Sequence, residues 1–200
     1  MRPSPAPGTV QGFARAVAGL ALLAVLSACG NVTPVGSAAV SPPSPTPTPA
    51  RTDDPPPTST SEVDVDMQDG KGEPAVVKAV NWEARDGFDR IVVDFEGDPP
   101  AYKATWVKEL VQDGSGDRLD VKGGAYLEIA LSRAQAHTDK GAPTWEGGPV
   151  YQTNLGNVRA VVKTGDFEGR VGIGLVLDHR AGYRLDQQTS PNQLVVDVAH

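Results

Sequence analysis

The chain has 200 residues, with 18 lysines and arginines against 25 aspartates and glutamates, and a formal net charge of −7. For an acidic chain without a basic stripe, we expect no electrostatic attraction to nucleic acid or to an anionic lipid surface. A single cysteine excludes a disulfide within the chain.

The first 28 residues have the pattern of a secretory signal peptide. A short basic region with Arg2 and Arg15 precedes an apolar run over residues 16–26, which small residues follow. This run is too short for a membrane-spanning helix, which needs roughly 20 residues. A basic start, a short apolar centre and small residues at the cleavage point are typical of an export signal. We therefore expect residues 1–28 to be removed.

The segment Leu26-Ser27-Ala28-Cys29 resembles a bacterial lipobox, in which the cysteine is lipidated and then becomes the new N-terminus. Two acyl chains, such as palmitate, suffice for lasting membrane attachment, whereas one chain gives only marginal binding. Lipidation also explains the lone cysteine. We expect Cys29 to anchor the protein to the extracytoplasmic face of the cell membrane, so that contact with the membrane comes from the lipid itself.

Residues 29–73 are expected to form a lipidated N-terminus and a disordered Pro/Ser/Thr-rich stalk. Twelve of the 18 prolines lie before residue 62, and such a composition buries too little apolar surface to offset its ordering entropy. Five acidic residues close the stalk: Glu62, Asp64, Asp66, Asp69 and Glu73. We expect them to form a solvated hinge, because their spacing departs from that of a calcium loop.

The remaining residues, 74–200, are expected to form one domain of class all-β. Apolar and polar residues alternate with period two in eight short segments: residues 76–83, 90–95, 101–107, 126–131, 158–164, 171–178, 183–188 and 194–198. Strands with one apolar face, separated by turn residues, predict an antiparallel β-sandwich. The single helical candidate covers residues 132–137, where Ser132 and Gln135 could form a capping box.

The long connection over residues 132–155 is the candidate ligand-binding surface. It exceeds a hairpin loop, and loops of this length are usually functional or disordered. It holds His137, Asp139, Trp145 and Tyr151, so aromatic rings and hydrogen-bonding groups lie together. Two alternatives stay open for Trp145, which either contacts a ligand or packs the loop onto the sandwich.

No motif in the chain predicts catalysis, a metal or a cofactor. His137, His179 and His200 lie far apart in the sequence, without an HExxH pair or cysteine ligands. Gly172 and Gly174 lie inside a predicted strand with no helix behind them, which is not the context of a phosphate-binding loop. We therefore expect the protein not to be an enzyme.

Four segments carry a resemblance to a known family: residues 88–95 with Gly97, residues 136–139, residues 164–169 and residues 191–198. In this order along a lipidated chain, they resemble the AMIN-like domain of actinobacterial lipoproteins, over about residues 75–199. The resemblance implies a β-sandwich that acts as a targeting module for peptidoglycan or envelope proteins. It brings no catalytic residues.

Two functions from different classes follow from these expectations. The preferred one is a membrane-anchored lipoprotein whose domain is a non-catalytic binding module for cell-wall glycan or an envelope protein. The alternative is a structural or assembly lipoprotein with a protein partner and no glycan affinity. Sedimentation with purified cell-wall sacculi separates the two.

Overall fold

The computed structural model describes residues 54–66 and 72–200, which belong to one compact unit. Over these residues the fold is all-β, as the alternation predicts, with no helix long and apolar enough to span a membrane. Eleven strands follow in chain order: β1 (Val63–Val65), β2 (Ala75–Arg85), β3 (Phe88–Glu96), β4 (Ala101–Val107), β5 (Ala125–Ser132), β6 (Ala134–Gln135), β7 (Val150–Gln152), β8 (Val158–Phe167), β9 (Arg170–Leu177), β10 (Tyr183–Thr189) and β11 (Asn192–Ala199).

The strands form two sheets around one apolar core. Sheet A has the order β1-β4-β5-β9-β8-β7, and sheet B has the order β10-β11-β3-β2-β6. Neighbouring strands are antiparallel except for the short parallel pair of β2 and β6. Both sheets contribute one face to the core, for example Ile91 and Val93 from β3 with Leu127 and Ile129 from β5. The predicted β-sandwich is confirmed.

All eight alternating segments form strands. The bounds of β4 match the prediction, and the other seven strands differ from it by one to three residues at an end. The structure adds β1, β6 and β7, which have two or three residues each. A segment of two or three residues is too short to show an alternation of apolar and polar residues. Such a strand is recognised only from its backbone pairing with a neighbouring strand.

The helix expected over residues 132–137 is wrong. Arg133 has a positive φ of 59°, which a right-handed helix excludes. The chain then continues as β6, with Ala134 and Ala136 buried on the same side. Burial of these two alanines against the core, at a spacing of two residues, outweighs the local capping preference of Ser132.

Residues 54–66, which were expected to belong to the disordered stalk and are here called the strap, fold onto the domain. The carbonyl of Ser59 accepts a hydrogen bond of 2.7 Å from the amide of Tyr183 in β10. Farther along, β1 pairs with β4, with Val63 opposite Ala104. The strap is therefore held by backbone pairing with the edges of both sheets, which composition does not reveal. Residues 1–53, with Cys29, and residues 67–71 lie outside the described part of the chain.

Side chains of the domain fix the middle of the strap. The Tyr183 hydroxyl donates to the carbonyl of Ser61 at 2.6 Å, and Trp106 Nε1 donates to the carbonyl of Thr60 at 3.0 Å. Arg180 lies 4.8 Å over the ring of Trp106. These contacts hold β1 beside β4, where it becomes a wall of the groove described below.

Candidate functional site

Trp145, the expected aromatic anchor of the long loop, lies in the core. Its side chain is only 3% exposed, and its ring stacks on Tyr151 at a centroid distance of 5.2 Å and an angle of 12°. Of the two alternatives for Trp145, the structure shows the packing role. The ring closes the loop onto the sandwich and has no free face for a ligand.

Tyr151 belongs to the same aromatic cluster but is half-buried. Its ring lies 6.2 Å from that of Trp82, and its hydroxyl donates to the carbonyl of Glu146 at 2.7 Å. Burial raises the pKa of the Tyr151 hydroxyl. Lys163 lies over the other ring of the stack, 5.6 Å from the centroid of Trp145. The cluster fastens residues 145–151 to β8 and β2.

The polar residues predicted for the long loop lie nearer its start. His137 Nδ1 is 2.7 Å from Asp166 Oδ2, so this histidine links the loop to the end of β8. Asp139 is exposed in the following turn. A ligand-binding role for His137, Asp139 and Tyr151 stays a prediction.

A different surface, the outer face of sheet A, has two contrasting halves. Residues 108–124, here called the covering loop, pack on one half. Leu110 of this loop is buried against Ala160, Val162 and Val176, which point outward from β8 and β9. This half of the face is therefore closed to solvent by the protein itself.

Two glycines of β9 allow the covering loop to approach so closely. A Cβ on Gly174 would lie 2.4 Å from Leu110 Cδ1, and one on Gly172 would lie 2.4 Å from Asp113 Oδ2. The loop is also tied by its backbone, because the amide of Asp113 donates to the carbonyl of Thr164 at 2.9 Å. Gly172 and Gly174 thus serve close packing on the sheet.

The other half of the outer face is open and forms a groove of about 580 Å³, here called the open groove. Small side chains of β4 and β5 form its floor, among them Ala101, Ala130 and Ser132. Its polar and charged lining comprises Asp64, Asp66, Lys103, Thr105, Glu128 and Arg170. The strap supplies one wall, and the middle strands of sheet A supply the rest.

Four of the five charged residues in the open groove form ion pairs across neighbouring strands. Lys103 Nζ lies 3.2 Å from Asp64 Oδ2, and Arg170 Nη2 lies 3.3 Å from Glu128 Oε1. Arg170 Nε is also 3.9 Å from Asp113 Oδ1. Exposed ion pairs contribute only about 0–1 kcal/mol. Polar groups of a ligand can therefore take over the partners in the exposed Lys103–Asp64 pair without a large loss of stability.

An exposed aromatic ring extends the open groove. A depression of about 450 Å³ shares Glu128 and Arg170 with the groove and reaches Phe167, at the turn between β8 and β9. Phe167 is 54% exposed, the most exposed large apolar side chain in the described residues. A free ring face beside hydrogen-bonding groups suits a ligand that has both an apolar face and polar edges.

The family model of the AMIN-like domain matches residues 75–200, which include β4, β5 and β9. The chain belongs to the AMIN-like domain family. The predicted resemblance to the AMIN-like domain, over about residues 75–199, is thus confirmed. The family suggests a non-catalytic binding or targeting module of the cell envelope. Comparison with curated proteins and with solved structures gave no match. The strap lies outside the matched residues.

Sequence reasoning missed the open groove, although part of the information was present. The alternation in β5 already places Glu128 on the face opposite Leu127 and Ile129. The alternation does not show which half of that face the covering loop buries. That depends on the contact of Leu110 with Gly174, which is far from it in the sequence. In the sequence, the only sign of the open groove was the set of polar residues on the outward face of the predicted strands.

Proposed function

We propose that the protein is a lipoprotein of the cell membrane whose AMIN-like domain binds cell-wall glycan on the extracytoplasmic side, without catalysis. Family membership supports a binding module of the envelope. The lipobox-like segment that ends in Cys29 supports a diacyl anchor, and the proline-rich sequence after it serves as the tether. Glycan binding is assigned to the open groove.

The geometry of the open groove is the observation that carries the glycan assignment. Sugars present hydroxyls around their edges and an apolar face, and the groove offers paired charges, the hydroxyls of Thr105 and Ser132, and the half-exposed ring of Phe167. Its volume of about 580 Å³ is within the range of roughly 300–1,000 Å³ that ligand sites occupy. In this proposal Arg170 donates hydrogen bonds to sugar hydroxyls, Glu128 accepts hydrogen bonds from them, and the Phe167 ring stacks on a sugar ring.

Sedimentation with purified cell-wall sacculi tests the proposal. The purified protein should pellet with sacculi, and Phe167→Ala or Arg170→Gln should weaken the interaction by about 1–3 kcal/mol, as truncation of a binding hot spot commonly does. Arg159→Gln is the matched control, because Arg159 is another exposed, ion-paired arginine of sheet A and lies outside the groove. Equal pelleting of all four proteins, or none of the unaltered protein, contradicts glycan binding in the groove.

The membrane anchor has its own test. Cys29→Ser removes the thiol that would be acylated, so the variant should leave the membrane fraction or keep residues 1–28 uncut. Membrane partitioning and N-terminal processing are measured side by side with the unaltered protein. Unchanged partitioning and processing contradict the anchor and leave the groove proposal untouched.

A second function, a structural or assembly lipoprotein with a protein partner, is favoured by one observation. β10 is a seven-residue edge strand of sheet B, and within the described residues the strap hydrogen-bonds to its outer edge at Tyr183. An edge strand offers backbone groups to an extended partner chain. Absence of the protein from pelleted sacculi, together with cross-links from β10 to an envelope protein, would establish this second function.

A further inference from the structure

The outer face of sheet B carries a row of charges that the open groove does not use. Arg184 of β10, Asp197 of β11 and Arg90 of β3 lie directly opposite one another across the three strands. Arg90 donates to both carboxylate oxygens of Asp197, at 2.7 and 2.9 Å, and Arg184 donates to Oδ2 at 2.7 Å. Two guanidinium groups thus converge on one carboxylate.

The row of Arg184, Asp197 and Arg90 carries one net positive charge, and Asp54 of the strap lies beside it. Asp54 Oδ2 approaches both arginines, at 4.0 Å from Arg90 Nη2 and 3.7 Å from Arg184 Nη2. These distances are too long for hydrogen bonds, and the Asp54 side chain is 67% exposed. An anion of the chain itself therefore stands beside the arginine pair without satisfying its donors. An anion from solution that displaces the exposed Asp54 side chain can reach these donors.

The arginine pair is held in place before any ligand arrives. Asp197 is buried, and its bonds to Arg90 and Arg184 fix both guanidinium groups on the sheet. Burial raises the pKa of the Asp197 carboxyl, but the hydrogen bonds from the two arginines outweigh burial and keep that pKa below its usual range. A fixed guanidinium loses less side-chain entropy on binding than a free one.

The other charges near the pair are already engaged. Glu83 lies opposite Arg90 on β2 and forms an ion pair with Arg85. Asp186, on the same face of β10 as Arg184, accepts a hydrogen bond from Gln188 at 3.1 Å. Since Arg has five N–H donors and the two side chains give three of their ten to Asp197, unused donors remain.

We propose that Arg90 and Arg184 form a second binding site, which takes a phosphate group at the position that Asp54 approaches. Only one carboxylate oxygen of Asp54 lies near both arginines, whereas a phosphate group has more acceptor oxygens. A phosphate group also accepts bidentate hydrogen bonds from guanidinium groups. The site lies on the sheet opposite the open groove, so it adds to glycan binding and does not depend on it. The phosphate belongs either to a soluble or polymeric ester or to a lipid headgroup.

Titration of the purified protein with inorganic phosphate, followed by the NMR signals of the arginine Nε–H groups, tests this site. Saturable shifts are expected for Arg90 and Arg184. Arg184→Gln should weaken binding about tenfold or more, as loss of a charge-assisted hydrogen bond does. Asp54→Asn, which removes the competing anion, should strengthen it several-fold. Lys78→Gln is the control, because it removes one exposed, ion-paired cation from sheet B.

Three results overturn the site: no saturable shift, equal weakening by Lys78→Gln and Arg184→Gln, or weaker phosphate binding after Asp54→Asn. The source of the phosphate is separated with vesicles. If the protein sediments with phosphatidylglycerol vesicles, and Arg184→Gln reduces this binding while Lys78→Gln does not, the phosphate belongs to a lipid headgroup. Saturable shifts with inorganic phosphate but no vesicle binding identify a soluble or polymeric ester.

Discussion

The two halves of the outer face of sheet A lie side by side on one sheet, yet one is covered and the other is open. On the covered half, Ala160, Val162 and Val176 point outward, and Leu110 of the covering loop buries them. On the open half, Lys103 and Glu128 point outward and remain in contact with solvent. The difference lies in the outward residues, because apolar ones need a cover and polar ones do not.

The contrast explains why the open half is suited to binding. Its side chains stand on the middle strands of a sandwich, which hold them more precisely than a loop would. The covered half instead gains stability, because the covering loop buries its apolar side chains. We therefore expect changes in the covered regions to alter stability, and changes in the open groove to alter binding.

The largest effect on stability is expected for a core residue of the long connection over residues 132–155. Trp145→Ala removes a buried, stacked ring, and we expect a loss of about 3–5 kcal/mol in the free energy of unfolding. Denaturant unfolding measures it. A loss below about 1 kcal/mol would show that Trp145 is not a core residue in solution.

Leu110→Ala should have the next largest effect, a loss of about 2–5 kcal/mol with a value near the lower end, because the covering loop can partly collapse into the cavity. Unfolding is again the measurement. Thr105→Ala, on the open half, is the matched control and should change stability by less than about 0.5 kcal/mol. Similar losses in both variants would remove the distinction between the halves.

Gly174→Ala should destabilise by about 1–3 kcal/mol, because the added Cβ meets Leu110 and forces the loop away from the sheet. Combining it with Leu110→Ala makes room for the new methyl group. The double variant should therefore be more stable than the sum of the two single losses predicts. Strict additivity would mean that Leu110 does not rest on Gly174.

Phe167→Ala is expected to have the smallest effect on stability, within about 0.5 kcal/mol, because the ring is largely exposed. Its effect should fall on binding to sacculi. Thermal unfolding and sedimentation of the same preparation measure both properties. A clear drop in melting temperature with binding retained would assign Phe167 to packing.

The strands of this fold were predictable because each carries its own pattern. Leu127 and Ile129 alternate with polar residues, and the eight strands of this kind were found from the sequence. The strap was not, since Val63–Val65 is three residues long and is held by the backbone edge of β4. The turn at Arg133 was missed because its positive φ follows from burial of the neighbouring alanines.

The candidate site was predictable only in its parts. Glu128 was assigned to an outward face, but its pairing with Arg170 joins β5 to β9, whose adjacency the sequence does not state. The aromatic residues of the long loop were found, yet the sequence left open whether Trp145 packs or binds. Exposure is a property of the assembled sheets, so it could not be derived from local spacing.

The central claim is that the open half of sheet A is the binding surface. Backbone amide NMR shifts of the purified protein on addition of solubilised cell-wall glycan fragments test it most directly. Saturable shifts should cluster around Lys103, Glu128 and Arg170, while the covering loop at Leu110 remains unchanged. Shifts confined to residues 132–155 or to sheet B, or the absence of any saturable shift, would contradict the claim.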